Sequence, residues 1–469
     1  GKTPPPPVPA AVRQAIAALG DDANSIINYL TQGAGKHHTF NFLAEFVDKF
    51  GHRLSGTPDL EMSIDWLVEQ LQQAGLDNVH TEDATVPHWE RGEEWVQLVS
   101  PKVGSHASWP IAMLGLGNSI GTLNSTLADK DGAITADAVV VRTFDELDAL
   151  GEKVRGKIVV YNQDWVSYGK TVAYRGAGAS RAAKYGAVAA LIRSVTPFSL
   201  NSPHTGAMGP ASIPGACITV EAAQMLQRMQ DRGERLTVRM KMSARTLPDA
   251  KSRNLIAEVT GVEVPHEVVL VSGHLDSWDA PGEQGAMDDA GGAFISLQAL
   301  LAVKALGLKP KRTLRAVLWT CEEFGGVGAD QYHAVHHSES PNFSIVMESD
   351  LGTFRPYGLQ LTAAPAAVSI VQEIAQLLVP INATQVQADG DGTDIYPFME
   401  DGVPGASLAN ANDHYFYYHH SSADTMTVLD ADDLDLAATV WAVHAYSIAC
   451  LPALLPRASP APPALARAN

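Results

Sequence analysis

The chain has 469 residues, of which 46% are hydrophobic and 18% are charged. This length predicts two or three domains, and the apolar content excludes a wholly disordered chain. The 52 acidic residues outnumber the 33 basic ones and give a net charge of −19, which argues against nucleic-acid or anionic-membrane binding.

The sequence shows no membrane span, no disulfide framework and no signal peptide. The most apolar C-terminal segment, residues 440–455, contains Pro452 and predicts a buried helix. Three cysteines are too few for a disulfide framework, match no CxxC metal motif and are expected to be buried. The opening GKTPPPPVPAAV lacks the pattern of a signal peptide, although a processed mature chain would begin in the same way.

The N-terminal part contains one clear helix and one predicted hairpin. Thr57, Pro58 and Asp59 provide capping chemistry, and Gly75 marks the end of a helix with apolar residues at helical spacing between them. Residues 79–101 alternate between apolar and polar side chains and carry turn residues, which predicts an edge hairpin.

A change in composition marks residues 118–245 as a small α/β insert. Short apolar runs alternate there with loops rich in Gly, Pro and Ser, and residues 181–192 have helical spacing. The insert has no cluster of His, Asp and Glu at ligand spacing, so we do not expect the chemistry there. We divide the chain into an N-terminal peptidase part (1–117), the insert (118–245), a catalytic part (246–455) and a tail rich in Pro and Ala (456–469).

The sequence of the catalytic part predicts the element order β-α-β-α-β with short connections. Apolar strands at residues 268–273, 313–321 and 343–349 alternate with helices at 290–307 and 326–337. This order is typical of a parallel sheet covered by helices on both faces. In such sheets, ligands bind beyond the carboxyl ends of the strands, so that edge is where we expect the site.

Acidic and imidazole side chains cluster at these strand ends and in loops that could reach them. The five clusters are His274 with Asp276, Asp288 with Asp289, Glu322 with Glu323, Asp350, and His419 with His420. Each has a structural alternative, such as a hydrogen-bonded pair, a helix cap or a solvated face. Their coincidence at one sheet edge favours a metal site instead. Imidazoles and carboxylates without thiolates indicate zinc or a similar divalent ion, and a pair of metals accounts for the surplus of acids.

The same motifs resemble the co-catalytic di-zinc aminopeptidase family. The order is GHLDS, DDA-x-G, a strand ending in EE, a strand ending in Asp, and a late His followed by D-T. The resemblance extends over residues 40–455. It implies an α/β zinc-peptidase domain with a mixed, mostly parallel central sheet flanked by helices, and it identifies the insert as a protease-associated α/β domain acting as a lid.

The resemblance also implies roles for single residues and a cofactor of two Zn²⁺ ions per chain. Asp288 would bridge the metals, preceding a cis peptide bond to Asp289. His274 and Asp350 would complete one zinc site, Glu323 and His420 the other. Glu322 would be the general base that activates a metal-bridging water. Asp276 would orient the His274 ring.

Two further positions keep alternative interpretations. Some members of the family place an oxyanion-stabilising Tyr at the position of Gly390 or His419. His419 therefore either stabilises the oxyanion or only packs against neighbouring side chains. Asp394 aligns with an acid that shapes the substrate pocket, and a loop cap is the competing interpretation.

The function implied is hydrolysis of short peptides, above all dipeptides with free termini, by an exported (secreted, periplasmic or lysosomal-like) homodimer. A single-zinc acyltransfer enzyme of the glutaminyl-cyclase type and a non-catalytic receptor-like module are the alternatives. One zinc per chain would favour the first, and loss of ligands would be expected of the second.

Overall fold

The computed structural model describes residues 5–457. The Pro-rich opening of the sequence is therefore described from residue 5 onward. Of the predicted tail, residues 458–469 lie outside the described part of the chain.

The described residues form two sheets, and we call the one that contains the longest strands the larger sheet. Its eight strands follow the order β1-β10-β12-β11-β13-β16-β14-β15. Strand β11 lies between β12 and β13 and runs parallel to both, and β13 runs parallel to β16, whereas β1, β10 and β14 add antiparallel pairings. The predicted mixed α/β fold is confirmed. The strands are β1 (Asp77–Glu90), β10 (Arg245–Val259), β11 (Val264–His274), β12 (Arg312–Trp319), β13 (Phe343–Glu348), β14 (Pro356–Thr362), β15 (Gln385–Ala388) and β16 (Gly405–Asn410).

Helices cover both faces of this sheet because its central strands are apolar on both sides. Val269 and Val271 of β11 face one core, and Val268 and Leu270 face the other. The larger core is built with α1 (Ala10–Ala17), α2 (Gly20–Thr31), α3 (His38–Phe50), α4 (Pro58–Gln73), α8 (Gly291–Ala305), α10 (Pro365–Ala375) and α13 (Ala431–Ala449). The smaller core is built with α9 (Val327–His336) and α11 (Tyr396–Glu400).

Helix α4 matches the predicted N-terminal helix, with one difference at its start. Gly75 follows it with a φ of +77°, a backbone conformation that glycine adopts without steric cost. The Thr57 hydroxyl does not cap the helix. It donates instead to the carbonyl oxygen of Leu54 at 2.7 Å.

The predicted edge hairpin at residues 79–101 is wrong. Strand β1 pairs along its length with β10 at the edge of the larger sheet, whereas β2 (Glu94–Ser100) belongs to the second sheet. The chain crosses between the sheets at residues 91–93. Alternation of polar and apolar residues indicates a half-buried strand but not its partner, and here both partners lie far along the chain.

The second sheet also has eight strands, in the order β3-β2-β9-β5-β6-β7-β8-β4. It contains β3 (Trp109–Ile111), β4 (Met113–Gly115), β5 (Ile134–Val141), β6 (Ile158–Tyr161), β7 (Ala189–Arg193), β8 (Gly215–Ile218) and β9 (Leu236–Met242). Its helices are α5 (Phe144–Leu150), α6 (Tyr168–Lys184) and α7 (Val220–Asp231). Residues 181–192 are not one helix, because α6 ends at Lys184 and β7 begins at Ala189 after Gly186, which has a φ of +82°.

The most apolar helices lie in the interior. The segment Ala286–Ala305 is long and apolar enough to cross a membrane, but 94% of its apolar window is buried within the protein. Residues 440–449 form the buried second half of α13, as expected, but residues 450–455 are not helical, because the helix ends at Ala449, before Pro452. Cys217, Cys321 and Cys450 are buried and unpaired by disulfides, as predicted.

An aromatic cluster holds α3 against α8. The Phe294 side chain is 1% exposed, with ring centroids 4.8 Å from Phe42 and 5.0 Å from Phe46. We expect Phe294→Ala to lower the free energy of unfolding, measured in urea, by about 3–5 kcal/mol. The matched control is Met62→Ala, at a side chain that is 51% exposed, with an expected change within about 0.5 kcal/mol. Equal effects of the two substitutions would contradict this assignment of the core.

Candidate metal centre

The five predicted clusters meet at the carboxyl edge of the larger sheet. His274 ends β11, Glu322 and Glu323 follow β12, and Asp350 follows β13. Asp288 lies in the turn Ala286–Ala290 before α8, and its peptide bond to Asp289 is cis, as expected. His419 and His420 follow the short helix α12 (Tyr415–Tyr418). Parallel strands bring their ends to one edge, which is why residues far apart in sequence converge here.

Asp288 lies between two groups of donor atoms. Its Oδ1 atom is 3.1 Å from Nε2 of His274, and its Oδ2 atom is 3.1 Å from Nε2 of His420. Asp350 Oδ1 lies 3.2 Å from the first imidazole, and Glu323 Oε2 lies 3.0 Å from the second. The two carboxylate oxygens of Asp288 therefore face different imidazoles.

These distances suit divalent metals. Donor atoms that bind a tetrahedral metal at about 2.1 Å are separated by about 3.4 Å, close to the separations found here. Oδ2 of Asp288, Oε1 of Glu323 and Oδ1 of Asp350 are buried and have no hydrogen-bond partner within the described residues. Buried carboxylate oxygens are costly unless paired, so the residues present fit cations at both positions.

The pKa shifts within the cluster also indicate that its carboxylates need positive charge beyond what the protein's own side chains supply. Burial raises the pKa of both Glu323 and Asp350 well above the usual range, and the neighbouring Asp288 charge adds to both shifts. Burial alone would raise the pKa of Asp288 too, but the two flanking imidazoles lower it well below the usual value. Several acids in so small a volume are stable as carboxylates only beside cations.

Glu322 differs from its neighbour Glu323. Its nearest cationic partner is Nε2 of His274 at 3.7 Å, which is longer than the contacts made by Asp288 and Asp350. Burial raises the pKa of Glu322 to about 8, with an opposing contribution from His274 and a further upward one from Glu323. A carboxyl group with these properties can carry a proton near neutral pH.

Asp276 contacts the site differently from the expectation. The ring Nδ1 of His274 is 2.8 Å from the main-chain carbonyl of Asp276 and 3.5 Å from its carboxylate. That carboxylate instead accepts the main-chain N–H groups of Glu322 at 3.0 Å and Glu323 at 3.1 Å, and the Ser55 hydroxyl at 3.1 Å. Asp276 therefore fixes the loop that carries the two glutamates as well as the imidazole.

Two buried residues that the sequence did not single out hold the ligand loops. Asp424 accepts the main-chain N–H groups of Met287 at 2.7 Å and Asp288 at 3.0 Å, which fixes the bridging carboxylate. The Arg53 guanidinium donates to the carbonyls of Leu275, Gly51, Gln284 and Gly285. Asp424 belongs to the D-T signature after His420, which assigned it no role, whereas no sequence pattern pointed to Arg53.

Asp394 lies behind the metal centre and outside the cavity lining. It is 0% exposed and its main-chain N–H donates to Glu348 Oε2 at 2.9 Å, so two buried carboxyl groups adjoin. Burial raises the pKa of Asp394 well above the usual range, with Glu348 adding to the shift.

Gly390 packs against the Gln360 backbone, where a Cβ atom would lie 2.4 Å from a carbonyl oxygen, so a side chain does not fit.

A cavity of about 600 Å³ opens onto the metal centre. The main domain contributes Glu322, Glu323, Asp350 and His419 to its lining, together with Tyr415 and Phe416. Helix α6 and loops next to the second sheet contribute Asn118, Tyr168, Arg175, Ala207 and Met208. Tyr168, Arg175 and Tyr415 are lining residues that the sequence did not reveal, because only the fold brings them to the cavity.

His419 both packs and faces the site. Its ring stacks on that of His420 with centroids 3.5 Å apart, and its Nε2 atom lies 3.4 Å from Oδ2 of Asp288. Burial lowers the pKa of His419 well below the usual value, with the charge of His420 lowering it further. Both effects favour the neutral form of the His419 imidazole on the wall of the cavity.

Comparison with known proteins places the chain in a family. The sequence profile described as Peptidase family M28 matches residues 254–445, which include every candidate ligand. The chain is 52% identical to carboxypeptidase Q from Bos taurus over 450 residues, covering 95% of this chain and 92% of the relative. Carboxypeptidase Q from Homo sapiens is 50% identical with the same coverage. This chain belongs to peptidase family M28. The predicted resemblance and the prediction of a metallopeptidase are confirmed.

Solved structures support the same family. The peptidase M28 precursor from Shewanella amazonensis SB2B is 29% identical, with a TM-score of 0.86 over 96% of this chain and 100% of that one. The zinc aminopeptidase BSAP from Bacillus subtilis has a TM-score of 0.65 over 87% of this chain and 93% of that one. At 17% identity, this second neighbour shows similarity of fold alone.

Proposed function

We propose that this M28 peptidase is an exopeptidase that uses two Zn²⁺ ions per chain to hydrolyse short peptides, chiefly dipeptides with free termini. The observation that carries the proposal is Asp288, whose two oxygens each lie 3.1 Å from a different imidazole. His274 and Asp350 would hold one zinc with Asp288. His420 and Glu323 would hold the other.

Zinc bound at this centre supplies Lewis acidity, which polarises a peptide carbonyl and acidifies water. The protein's own part is to position the groups and to move protons. Glu322 is the general base that accepts a proton from the attacking water and then delivers it to the leaving amine. Its position supports this role. Glu322 lies at the centre, 3.7 Å from Nε2 of His274, but neither of the two zinc sites proposed above needs it as a ligand.

The cavity chemistry supports a substrate with two charged ends. Among the described residues that line the cavity, Arg175 is the only arginine or lysine, and its side chain also donates to Tyr168 and to the carbonyl of Ala207. It would bind the substrate carboxylate. The charges of two zinc ions are offset by the four carboxylates at the centre, and Asp391 adds negative charge to the cavity wall, which favours a protonated α-amine.

Blocking the substrate amine tests this orientation. We expect a free dipeptide to have at least a tenfold higher kcat/KM than its N-acetylated form, because acetylation removes the charge attracted by the carboxylates. Initial rates on the matched pair measure the difference. Equal rates would contradict the requirement for a free amine and favour a true carboxypeptidase.

Blocking the substrate carboxylate tests the other end. We expect dipeptide amides to show a raised KM relative to free dipeptides, since Arg175 would lose its ionic partner. The matched controls are tripeptides with free termini, which keep both charges but exceed the preferred length. An unchanged KM for the amide would remove Arg175 from the proposed substrate site.

The second sheet is proposed to be a protease-associated insert that covers the cleft. Its contribution to the cavity lining supports a lid, since lids exclude water and restrict the substrate. The proposed boundary at residue 118 falls within this sheet, because β2, β3 and β4 precede it. We therefore propose that the insert begins at Glu94 and ends at Met242.

Export and a homodimer are further proposals, supported by the similarity to carboxypeptidase Q. The two alternative functions have less support. If the protein were a single-zinc acyltransfer enzyme, one of the two proposed donor sets would have no role. If it were a receptor-like module, the Glu322 carboxyl at the cavity would have no role. No observation supports a nucleic-acid or membrane partner.

A further inference from the structure

A short segment of the insert pairs with the residues of the second metal position. The main-chain N–H of Thr205 donates to the carbonyl of His420 at 2.9 Å, and ring Nδ1 of His420 lies 3.0 Å from the carbonyl oxygen of Thr205. Next to it, ring Nδ1 of His204 contacts the carbonyl oxygen of His419. We call residues 204–205 the pairing segment.

The pairing segment sets the tautomer of a candidate ligand. The carbonyl of Thr205 can only accept a hydrogen bond, so Nδ1 of His420 must carry the proton, and in the neutral ring Nε2 is then free to face Asp288 and Glu323. Partners of this kind orient metal-bound imidazoles and raise their basicity. His274 has the equivalent partner, the carbonyl of Asp276, within its own loop. The two imidazoles therefore differ: one is held by the peptidase domain and the other by the insert.

The pairing segment is fixed firmly within the second sheet. The hydroxyl of Thr205 donates to the carbonyl of Gly115 at 2.8 Å, and the N–H of His204 donates to the hydroxyl of Ser194 at 2.9 Å. The next residue, Gly206, accepts the N–H of Gly117 at 2.9 Å. Because these partners belong to the core of the insert, displacement of the insert would displace the partner of the His420 ring.

We infer that the pairing segment is a positioning element of the metal centre, so that the affinity of one of the two metal positions depends on the insert. This inference rests on the proposed function, which requires two metals. No chemistry was expected in the insert from its sequence, and the inference gives it a supporting role at the metal centre. The insert is a lid and, through Thr205 and His204, a support for His420.

The first test compares His204→Ala with His204→Asn in the full chain. Asn keeps a donor at the position of Nδ1, whereas Ala removes it. Zinc affinities are measured by competition with a chromophoric chelator. We expect His204→Asn to bind two zinc ions, each with the affinity measured for the same position in the wild type. We expect His204→Ala to bind one unchanged and the other about 10–100-fold more weakly.

The second test displaces the pairing segment without changing its side chains. Gly206 has a φ of +149°, a conformation that L side chains rarely adopt, and a Cβ atom built there would lie 2.4 Å from Cζ of Arg175, so Gly206→Ala strains the backbone next to the segment. The matched control is Gly233→Ala, which also has a positive φ (+81°) but no heavy atom within 4 Å of the added carbon. We expect only Gly206→Ala to weaken one zinc position.

The outcomes separate the two proposals. Two zinc ions bound with wild-type affinity by both His204→Ala and Gly206→Ala would overturn the inference and leave the proposed function intact. A single zinc on the wild-type chain would overturn the proposed function itself. Equal weakening by His204→Asn or Gly233→Ala would also overturn the inference, since the loss would then not follow the contact with residues 419–420.

Discussion

Replacement of Glu322 by Gln is expected to lower kcat on a free dipeptide by about 10²–10⁴-fold while both metals stay bound. Gln has the same shape but cannot accept a proton from water. Glu322 lies 3.7 Å from His274 Nε2, farther than Asp288 at 3.1 Å, which fits a base beside the metals better than a ligand. Rate measurement and metal analysis are made on the same preparation.

The neighbouring residue provides the matched control. Glu323→Gln removes a donor that lies 3.0 Å from Nε2 of His420. We expect this variant to lose zinc at one position, whereas Glu322→Gln keeps both. If Glu322→Gln lost zinc instead, Glu322 would be a ligand and the assigned roles of the two glutamates would be wrong.

Replacement of Asp288 by Asn is expected to reduce the zinc content at both positions together and to abolish measurable turnover. One carboxylate faces both donor sets, and an amide nitrogen cannot replace a charged oxygen on either side. Metal content after dialysis against a weak chelator measures the effect.

Asp391→Asn is the matched control for Asp288→Asn. Asp391 also lines the cavity, but it is exposed and belongs to none of the candidate donor sets among the described residues. The same loss of charge there should leave the zinc content unchanged. Loss of only one zinc from Asp288→Asn would contradict a bridging role.

The sequence predicted the catalytic sheet well because its central strands are buried on both faces. Continuous apolar runs gave β11, β12 and β13, and the polar residues that end each run gave the candidate ligands. Burial explains this success, since a buried parallel strand tolerates acids only where it ends. The convergence of the five clusters then followed from one rule about parallel sheets.

The errors occurred where partners are distant in sequence. Residues 79–101 have the alternation of paired strands, yet their partners β10 and β9 come after most of the insert. Residues 181–192 are apolar at both helical and strand spacing, so the pattern did not locate the end of α6. Periodicity reports burial, whereas pairing depends on tertiary contacts.

Supporting contacts were the least predictable part of the site. Arg53 donates to four carbonyl groups around the ligand loops, and carbonyl groups leave no trace in a sequence. The same holds for Thr205, which contacts His420 through its main chain. Side chains with chemical function could be found from the sequence, whereas the backbone groups that position them needed the fold.

The central claim is that two zinc ions and this set of residues together cleave free dipeptides. Titration of zinc into metal-free wild-type protein, followed by the cleavage rate of a free dipeptide, tests it most directly. We expect no cleavage without zinc, a rise up to two equivalents per chain, and a plateau beyond that point. Saturation at one equivalent, or no cleavage at two, would contradict the account.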